Sequence, residues 1–292
     1  MHIGELFKKK AKPVVSLEVF PPKPTSPIEN VFNTLEGLKA LKPSFISVTY
    51  GAGGGNSART LEIADRIKNH CGIEALAHLT CVGLAREEID NMLDRLEACQ
   101  VHNVLALRGD PPAGEISFKQ PANGYRYAQE LIGHIKDRRQ FCIAAAAYPE
   151  GHMECRDMGK SIEYLKMKVD QGVDFLITQL FFDNNSYYAF RERVLQAGID
   201  CPISIGIMPV LNAAQIERIT SLCGARIPEK LKILLDKYRN STADMEKAGI
   251  EYACEQILDL RDHQIDGIHL YTMNKVEQIK TILQQTGITT MV

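Results

Sequence analysis

The chain has 292 residues, of which 45% are hydrophobic and 24% are charged, and its 34 Lys and Arg residues against 36 Asp and Glu residues give a net charge of -2. These proportions are typical of a soluble folded domain and exclude disordered, collagen-like and coiled-coil chains. The near-neutral charge, with no basic run longer than Lys8-Lys9-Lys10, also argues against a nucleic-acid or membrane-surface role.

The cysteines and the N-terminus indicate where the protein works. Eight cysteines are scattered with no CxxC pair, so neither a zinc ribbon nor a disulfide framework fits, and we expect reduced thiols and no metal. The segment MHIGELFKKKAKPVV has no apolar stretch behind its lysines, and no run of about 18 apolar residues follows. The sequence therefore predicts a cytoplasmic protein that does not contact a membrane.

Short apolar runs alternate along the chain with segments of helical spacing. The predicted strands cover residues 14–20, 45–50, 74–80, 103–107, 141–148, 174–180, 203–208 and 267–273. Helical spacing predicts helices over residues 28–41, 58–69, 86–99, 125–135, 159–171 and 187–197. Between residues 212 and 264, a break at Arg226-Ile227-Pro228 predicts two helices before the last strand.

The strand composition indicates how these units assemble. Runs such as CIAAAAY and FLITQL are apolar at successive positions, as expected for parallel strands that helices cover. Eight strand-then-helix units in a chain of this length favour a closed barrel over a doubly wound sheet. The predicted fold class is therefore α/β, a single (β/α)8 TIM-type barrel, with residues 1–292 forming one domain.

In such a barrel the functional site lies at the carboxyl ends of the strands. Polar residues are concentrated there in this sequence: Glu18, Thr49, His78, Thr80, Arg108, Asp110, Tyr148, His152, Gln179, Tyr271 and Lys275. This ring of side chains predicts a site at that end of the barrel.

Glu18 lies in the otherwise apolar strand SLEVF, where a carboxylate is costly to bury without a partner or a task. Burial would raise its pKa and suit it to general-acid work. The alternative is a structural ion pair with Lys275 or Lys23. Similarly, Asp110 either acts on a substrate or pairs with Arg108 within its turn.

Other motifs are open to structural as well as functional interpretations. GAGGG at residues 51–55 lacks the GxGxxG spacing and the lysine of a P-loop, and so predicts a flexible turn whose N–H groups can face a ligand. His78 fits a hydrogen-bonded core histidine. His152 and Cys155 have HxxC spacing but no second ligand pair, so no metal site is expected. Gln179 is an amide in an apolar strand and needs hydrogen-bond partners, which a ligand could provide.

Seven segments in order resemble the methylenetetrahydrofolate reductase family: SLEVFPPK, FISVTYGAGG, AHLTCVG, LALRGDPP, AAYPEGH, ITQLFFD and GIMPV. The resemblance runs from about residue 17 to residue 274. It implies a (β/α)8 barrel with noncovalently bound FAD, which agrees with the fold indicated by the periodicity. It also implies a reaction in which NADH or NADPH reduces the flavin and 5,10-methylenetetrahydrofolate then accepts the hydride, giving 5-methyltetrahydrofolate for methionine synthesis.

The resemblance also assigns roles to individual residues. Glu18 is implied to help protonate the folate N10, and Asp110 to stabilise the resulting cation. The implied cofactor-binding residues are Thr49, His78, Arg108, Gly109, Asp110, Tyr127, Ala128, Ala146, Tyr148, His152 and Lys168. The implied substrate-binding residues are Glu18, Gln179, Ile219, Tyr271 and Lys275. Ser161 and Met167 stand where many members of the family carry an acid and a base, which leaves the adenosine contacts open.

Two other functions are compatible with the sequence. One is a flavin-free pterin-binding barrel that transfers a methyl group to a corrinoid partner, and the other is a folate-binding subunit of a larger redox complex. The choice between NADH, NADPH and another electron donor also stays open. We further expect a homo-oligomer, as is common in the family, and no C-terminal regulatory domain, because the chain stops about twenty residues after its last predicted strand.

Overall fold

Eight parallel strands form a closed barrel in the computed structural model, which describes residues 1–8, 12–50, 57–109, 121–138 and 140–288. The strands are β1 (Val14–Val19), β2 (Phe45–Val48), β3 (Glu74–Thr80), β4 (Asn103–Leu107), β5 (Cys142–Ala147), β6 (Phe175–Thr178), β7 (Ile203–Ile207) and β8 (Gly267–Tyr271). Pairing of β8 with β1 closes the ring and sets Ser16 beside His269 and Glu18 beside Tyr271. The predicted (β/α)8 TIM-type barrel is confirmed.

Each strand leads into at least one helix. The helices are α1 (Gly4–Phe7), α2 (Glu29–Lys39), α3 (Ser57–Asp65), α4 (Arg86–Ala98), α5 (Ala128–Asp137), α6 (Met158–Asp170), α7 (Asn184–Gln196), α8 (Ala213–Cys223), α9 (Glu229–Tyr238), α10 (Thr242–Asp262) and α11 (Val276–Thr286). A π-helical turn at Arg66–His70 continues α3. None of the helices within the described ranges combines the length and the apolar character needed to cross a bilayer.

The helix count differs from the sequence prediction in one region. Three helices, α8, α9 and α10, precede β8, so the prediction of two was wrong. The break after Cys223 is where the sequence placed it, but a second break follows Tyr238, where the side chain of Ser241 accepts a hydrogen bond from Asp244 N at 3.4 Å and begins α10. Serine is a common N-cap residue, but the apolar residues on both sides of Ser241 have helical spacing, so the sequence analysis did not recognise a helix start there.

The amino ends of the strands are closed by the N-terminal segment. Leu6 and Phe7 of α1 pack with the inward-facing residues of several strands, and the rings of Phe7 and Phe175 lie 5.1 Å apart. The backbone N–H of Ile3 donates to the side chain of Asn103 at 2.8 Å. Because this end is filled by apolar side chains, a ligand must reach the barrel interior from the carboxyl ends of the strands.

Helices α8 to α10 build an apolar wall beside the carboxyl ends of β6 to β8. Tyr252 and Gln256 of α10 donate hydrogen bonds to the carbonyl oxygens of Phe182 and Phe181. A Cβ atom at Gly249 would lie only 1.7 Å from the carbonyl oxygen of Val210, so α10 reaches this position only because residue 249 is glycine. The wall therefore rests on close backbone packing as well as on side-chain burial.

Candidate active site

Glu18 is at the centre of a polar cluster in the upper part of the barrel. Its residue surface is 5% exposed. His269 Nε2 lies 3.2 Å and His78 Nε2 lies 3.3 Å from Glu18 Oε2, and the hydroxyl of Ser47 donates to the same oxygen at 3.4 Å. The four residues come from β1, β2, β3 and β8, so the cluster exists only when the barrel is closed.

The histidines reverse the expected electrostatics of Glu18. Burial would raise the pKa of this carboxyl, but the hydrogen bond with His269 and the nearby charge of both histidines outweigh that effect and lower the pKa to about 2. The expectation of a raised pKa was therefore wrong for the ligand-free protein. The alternative pairing was also wrong, because Lys23 and Lys275 are exposed and form no ion pair with Glu18.

His269 is held on all sides and was missed by the sequence analysis. Its Nδ1 lies 2.8 Å from the hydroxyl of Ser16. Its ring stacks against Phe45 with the ring centres 6.2 Å apart, and packs edge-on against Tyr271 with the ring centres 5.5 Å apart. The signal that could have found it is the period of two in β1 and β8, which points alternate residues such as Ser16 and Glu18 into the barrel.

The predicted substrate residues occupy different depths. Tyr271 is buried and donates to the carbonyl oxygen of Thr178 at 2.8 Å, and burial raises its pKa well above the usual value for a tyrosine. Gln179 follows β6 and its Oε1 accepts from Leu180 N at 2.9 Å. Ile219 on α8 packs against the apolar wall. Lys275 precedes α11 at the surface. Glu18 and Tyr271 are thus neighbours, whereas no contact in the described ranges joins Ile219 or Lys275 to Glu18.

A cavity of about 510 Å³ opens beside the carboxyl ends of β4 and β5. This volume lies within the range of small-molecule sites. Its lining includes most of the predicted cofactor residues, namely Arg108, Tyr127, Ala128, Ala146, Tyr148, His152 and Lys168, together with Ser161 and Met167. Thr49, His78 and Gly109 are not part of this lining. Asp110 and the GAGGG segment lie outside the described residues.

Lys168 brings a cation to this cavity, and none of the described residues provides a counterion for it. Its Nζ donates to the carbonyl oxygen of Ala146 and lies 5.6 Å from the ring centre of Tyr148. No carboxylate of the described residues forms an ion pair with it, and burial lowers its pKa to about 8. An ammonium group that is desolvated in this way is stabilised by an anionic ligand such as a phosphate.

Gly109 shapes the loop after β4. Its φ is +89°, a conformation that favours glycine, and a Cβ atom there would lie 2.5 Å from Val82 Cγ1 and 2.9 Å from Thr80 Cβ. Residue 109 can therefore adopt this conformation beside Thr80 and Val82 only as a glycine.

Three further residues fix the backbone around Glu18. The guanidinium of Arg59 on α3 donates to four carbonyl oxygens of the loop that follows β1, at residues 22, 23, 24 and 26. The side-chain amide of Asn274 accepts a hydrogen bond from Phe20 N at 3.0 Å and donates one to the carbonyl oxygen of Phe20 at 2.9 Å. The hydroxyl of Thr272 donates to the carbonyl oxygen of Glu18 at 2.6 Å. These contacts hold the backbone on both sides of the carboxylate.

Comparison with known proteins identifies the family. Residues 3–287 match the family model for methylenetetrahydrofolate reductase. The chain is 36% identical over 284 residues to a methylenetetrahydrofolate reductase (NADH) 1 from Arabidopsis thaliana, covering 94% of this chain and 48% of that protein. It is 35% identical over 274 residues to a 5,10-methylenetetrahydrofolate reductase from Salmonella typhimurium, covering 94% and 90%. The chain belongs to the methylenetetrahydrofolate reductase family and spans about half the length of its plant relatives.

A solved structure supports the fold independently. A protein from Clostridium thermocellum, described as binding two copies of 5-methyl-5,6,7,8-tetrahydrofolic acid, superposes with a TM-score of 0.63 over 98% of both chains. The two sequences are 15% identical, so this similarity concerns the barrel alone.

Proposed function

We propose that this member of the methylenetetrahydrofolate reductase family uses bound FAD to reduce 5,10-methylenetetrahydrofolate to 5-methyltetrahydrofolate. One observation carries the proposal. Seven residues that the family resemblance assigns to the cofactor, separated by up to 60 positions in sequence, line a single cavity at the end of the barrel where such enzymes act. The buried carboxylate that the reaction requires belongs to the same end.

The residues that line the cavity fit a dinucleotide. Lys168, which has no counterion within the described part of the chain, offers its ammonium group to the pyrophosphate. Tyr127 is 51% and Tyr164 is 55% exposed although both are aromatic, and both line the cavity, so they present apolar surface to a planar ring. Ser161 and Met167 carry no charge, which leaves the adenosine end to be bound by hydrogen bonds and contact area.

When bound, the flavin supplies the capacity to take a hydride from a nicotinamide and to deliver it to the methylene carbon of the folate. Glu18 provides the proton that the folate N10 needs for its ring to open. Because its pKa is about 2, Glu18 is a carboxylate at neutral pH and must take up a proton before it can act as an acid. Substrate binding excludes water and places the carboxyl group beside N10. Asp110, outside the described residues, is proposed to stabilise the positive charge that follows.

The remaining parts of the proposal rest on the relatives. The plant relatives are named as NADH-dependent, which favours NADH over NADPH as the electron donor. A cytoplasmic location and a homo-oligomeric assembly are proposed by analogy with the family.

The first test is the absorption spectrum of the purified protein, followed by the anaerobic addition of NADH. We expect a yellow protein that releases FAD rather than FMN and is bleached by NADH. A colourless protein that does not respond to added FAD would contradict the proposal and favour the corrinoid-dependent methyl transfer.

The second test separates the two half-reactions by stopped flow. Glu18→Gln keeps the shape of the side chain but removes the transferable proton, and should slow folate reduction by about 10²- to 10⁴-fold. Reduction of the flavin by NADH should stay within severalfold of the wild type, because no proton reaches a pterin in that step. Glu74→Gln, a carboxylate on β3 at the opposite end of the barrel, is the matched control and should affect neither half-reaction. Equal slowing of both half-reactions by Glu18→Gln would make Glu18 structural.

A further inference from the structure

The hydrogen bonds of Ser16 indicate which ring nitrogen of His269 carries a hydrogen. The hydroxyl of Ser16 lies 3.3 Å from the carbonyl oxygen of Ile268 and 2.8 Å from His269 Nδ1. A hydroxyl has one hydrogen to donate, and a carbonyl oxygen can only accept. When Ser16 donates to Ile268, its oxygen must accept from Nδ1, so His269 carries a hydrogen on Nδ1.

A hydrogen on Nδ1 determines what lies between His269 and Glu18. Nε2 and Oε2 are 3.2 Å apart. Without a hydrogen between them, two lone pairs would face each other in the barrel interior. The pair therefore holds one proton more than a neutral ring beside a carboxylate, either on Nε2 or on Oε2.

The charge of the cluster favours this arrangement over its alternative. If Ser16 donated to Nδ1 instead, the ring would be neutral and Glu18 would be a buried carboxylate with a net negative charge. No lysine or arginine in the described ranges forms an ion pair with Glu18 to compensate it. An uncompensated buried charge is strongly destabilising, whereas one shared proton makes the pair neutral.

None of the groups that face the pair of His269 and Glu18 takes its proton away. From β3, His78 Nε2 approaches the same carboxylate oxygen, and from β2 the hydroxyl of Ser47 does so. From β8, the hydroxyl of Tyr271 is directed away, towards the carbonyl oxygen of Thr178. Ser47 and Tyr271 are uncharged, and His78 Nε2, unlike His269 Nε2, forms no aligned hydrogen bond with the described residues, so the proton lies between His269 and Glu18.

We propose that His269 is a positioning residue that holds the proton that Glu18 gives to its substrate. This proton lies between His269 Nε2 and Glu18 Oε2. Its transfer to the substrate rests on the proposed function. The Nε2–H bond breaks as an Oε2–H bond forms, which leaves His269 neutral with its remaining hydrogen on Nδ1, bonded to Ser16. The Oε2–H bond then breaks as the bond from hydrogen to the folate N10 forms, which returns Glu18 to a carboxylate. Water restores the proton on Nε2 when the site reopens after the product leaves.

The location of the proton can be measured without any reaction. We would label the histidine ring nitrogens of the ligand-free wild-type protein with ¹⁵N and record their NMR shifts at neutral pH. The proposal expects Nδ1 to be protonated and Nε2 to be protonated or to share a proton. In Glu18→Gln, His269 should become neutral and keep its hydrogen on Nδ1. A wild-type ring with a bare Nδ1 and hydrogen only on Nε2 would overturn the proposal.

The use of the proton is tested by His269→Gln. Glu18 would lose its reservoir, so we expect folate reduction to slow by about 10- to 100-fold, less than the loss of the acid itself. Flavin reduction by NADH should change by less than about twofold. His134→Gln is the matched control, because His134 also bonds to a carboxylate, Asp90, but far from the barrel interior; it should change neither half-reaction.

The outcomes separate the two proposals. Equal slowing of both half-reactions by His269→Gln, or no slowing, would give His269 a structural role only and overturn the inference. A wild-type protein that shows the shared proton but reduces no folate would overturn the proposed function and support the proton store.

Discussion

Arg108 and Glu154 form a bidentate ion pair at the edge of the cavity, with Nη1–Oε2 at 2.5 Å and Nη2–Oε1 at 3.0 Å. The hydrogen bond with Arg108 lowers the pKa of the Glu154 carboxyl. The Glu154 side chain is 62% exposed, so the pair is at the mouth rather than in the interior. An anionic ligand that approaches Arg108 must compete with this carboxylate.

Glu154→Gln should therefore tighten the binding of FAD. An exposed pair contributes about 0.2–1 kcal/mol, so the expected gain in affinity is about 1.4- to fivefold. The quenching of flavin fluorescence on titration of the cofactor-free protein measures it. If the affinity falls instead, Glu154 orients Arg108 for the cofactor and does not compete with it.

Lys168→Met should weaken FAD binding by about 10- to 100-fold, because a charge-assisted hydrogen bond contributes about 1.5–3 kcal/mol. In the wild type the affinity should fall as the pH rises through about 8, where the ammonium loses its charge. The variant should lack this pH dependence. Lys160→Met, on the exposed side of the same helix, is the control and should behave like the wild type.

The same substitution should stabilise the cofactor-free protein. A lysine whose folded-state pKa is about 8, below the usual lysine pKa of 10.5, destabilises the folded state below pH 8, and the penalty disappears as the pH rises towards 10.5. The melting temperature of Lys168→Met should thus exceed that of the wild type at pH 7 and approach it above pH 10. A lower melting temperature at pH 7 would show that packing of the lysine stem outweighs desolvation of its charge.

Arg59→Lys should loosen the loop after β1. One ammonium group cannot reach all four carbonyl oxygens that the planar guanidinium contacts. We expect the free energy of unfolding to fall by about 1–3 kcal/mol in urea titrations, and KM for the folate to rise. Arg95→Lys, at an exposed position of α4, should change neither quantity. An unchanged KM would mean that the loop does not contact the substrate.

Asn274→Asp should destabilise the junction of β8 and β1 in a pH-dependent way. The amide now donates to the carbonyl oxygen of Phe20, and an ionised carboxylate would face that oxygen with a lone pair. We expect a loss of about 1–3 kcal/mol at pH 7 and a smaller loss near pH 4, where the carboxyl is partly protonated and can donate. A loss that does not change with pH would place the effect in the backbone, whose φ at Asn274 is +57°.

Much of the fold was readable from local patterns. All eight predicted strands exist, and the differences are confined to their ends, where β2 and β6 stop at Val48 and Thr178 as the chain leaves the ladder for the loops of the site. The polar cavity residues at the carboxyl ends of the strands, Arg108, Tyr148 and His152, were found because a barrel places every strand end on one face. The family resemblance added roles that periodicity could not supply.

The electrostatic state of the central acid was decided only by the tertiary structure. The sequence determined that Glu18 lies in an apolar strand, and from this the physically reasonable expectation was a raised pKa. Its partner His269 lies 251 positions away and becomes a neighbour only because β8 pairs with β1. Periodicity reports which face a side chain takes within its own strand, whereas the sign of a pKa shift depends on the charges and hydrogen-bond donors that other strands bring within a few ångströms.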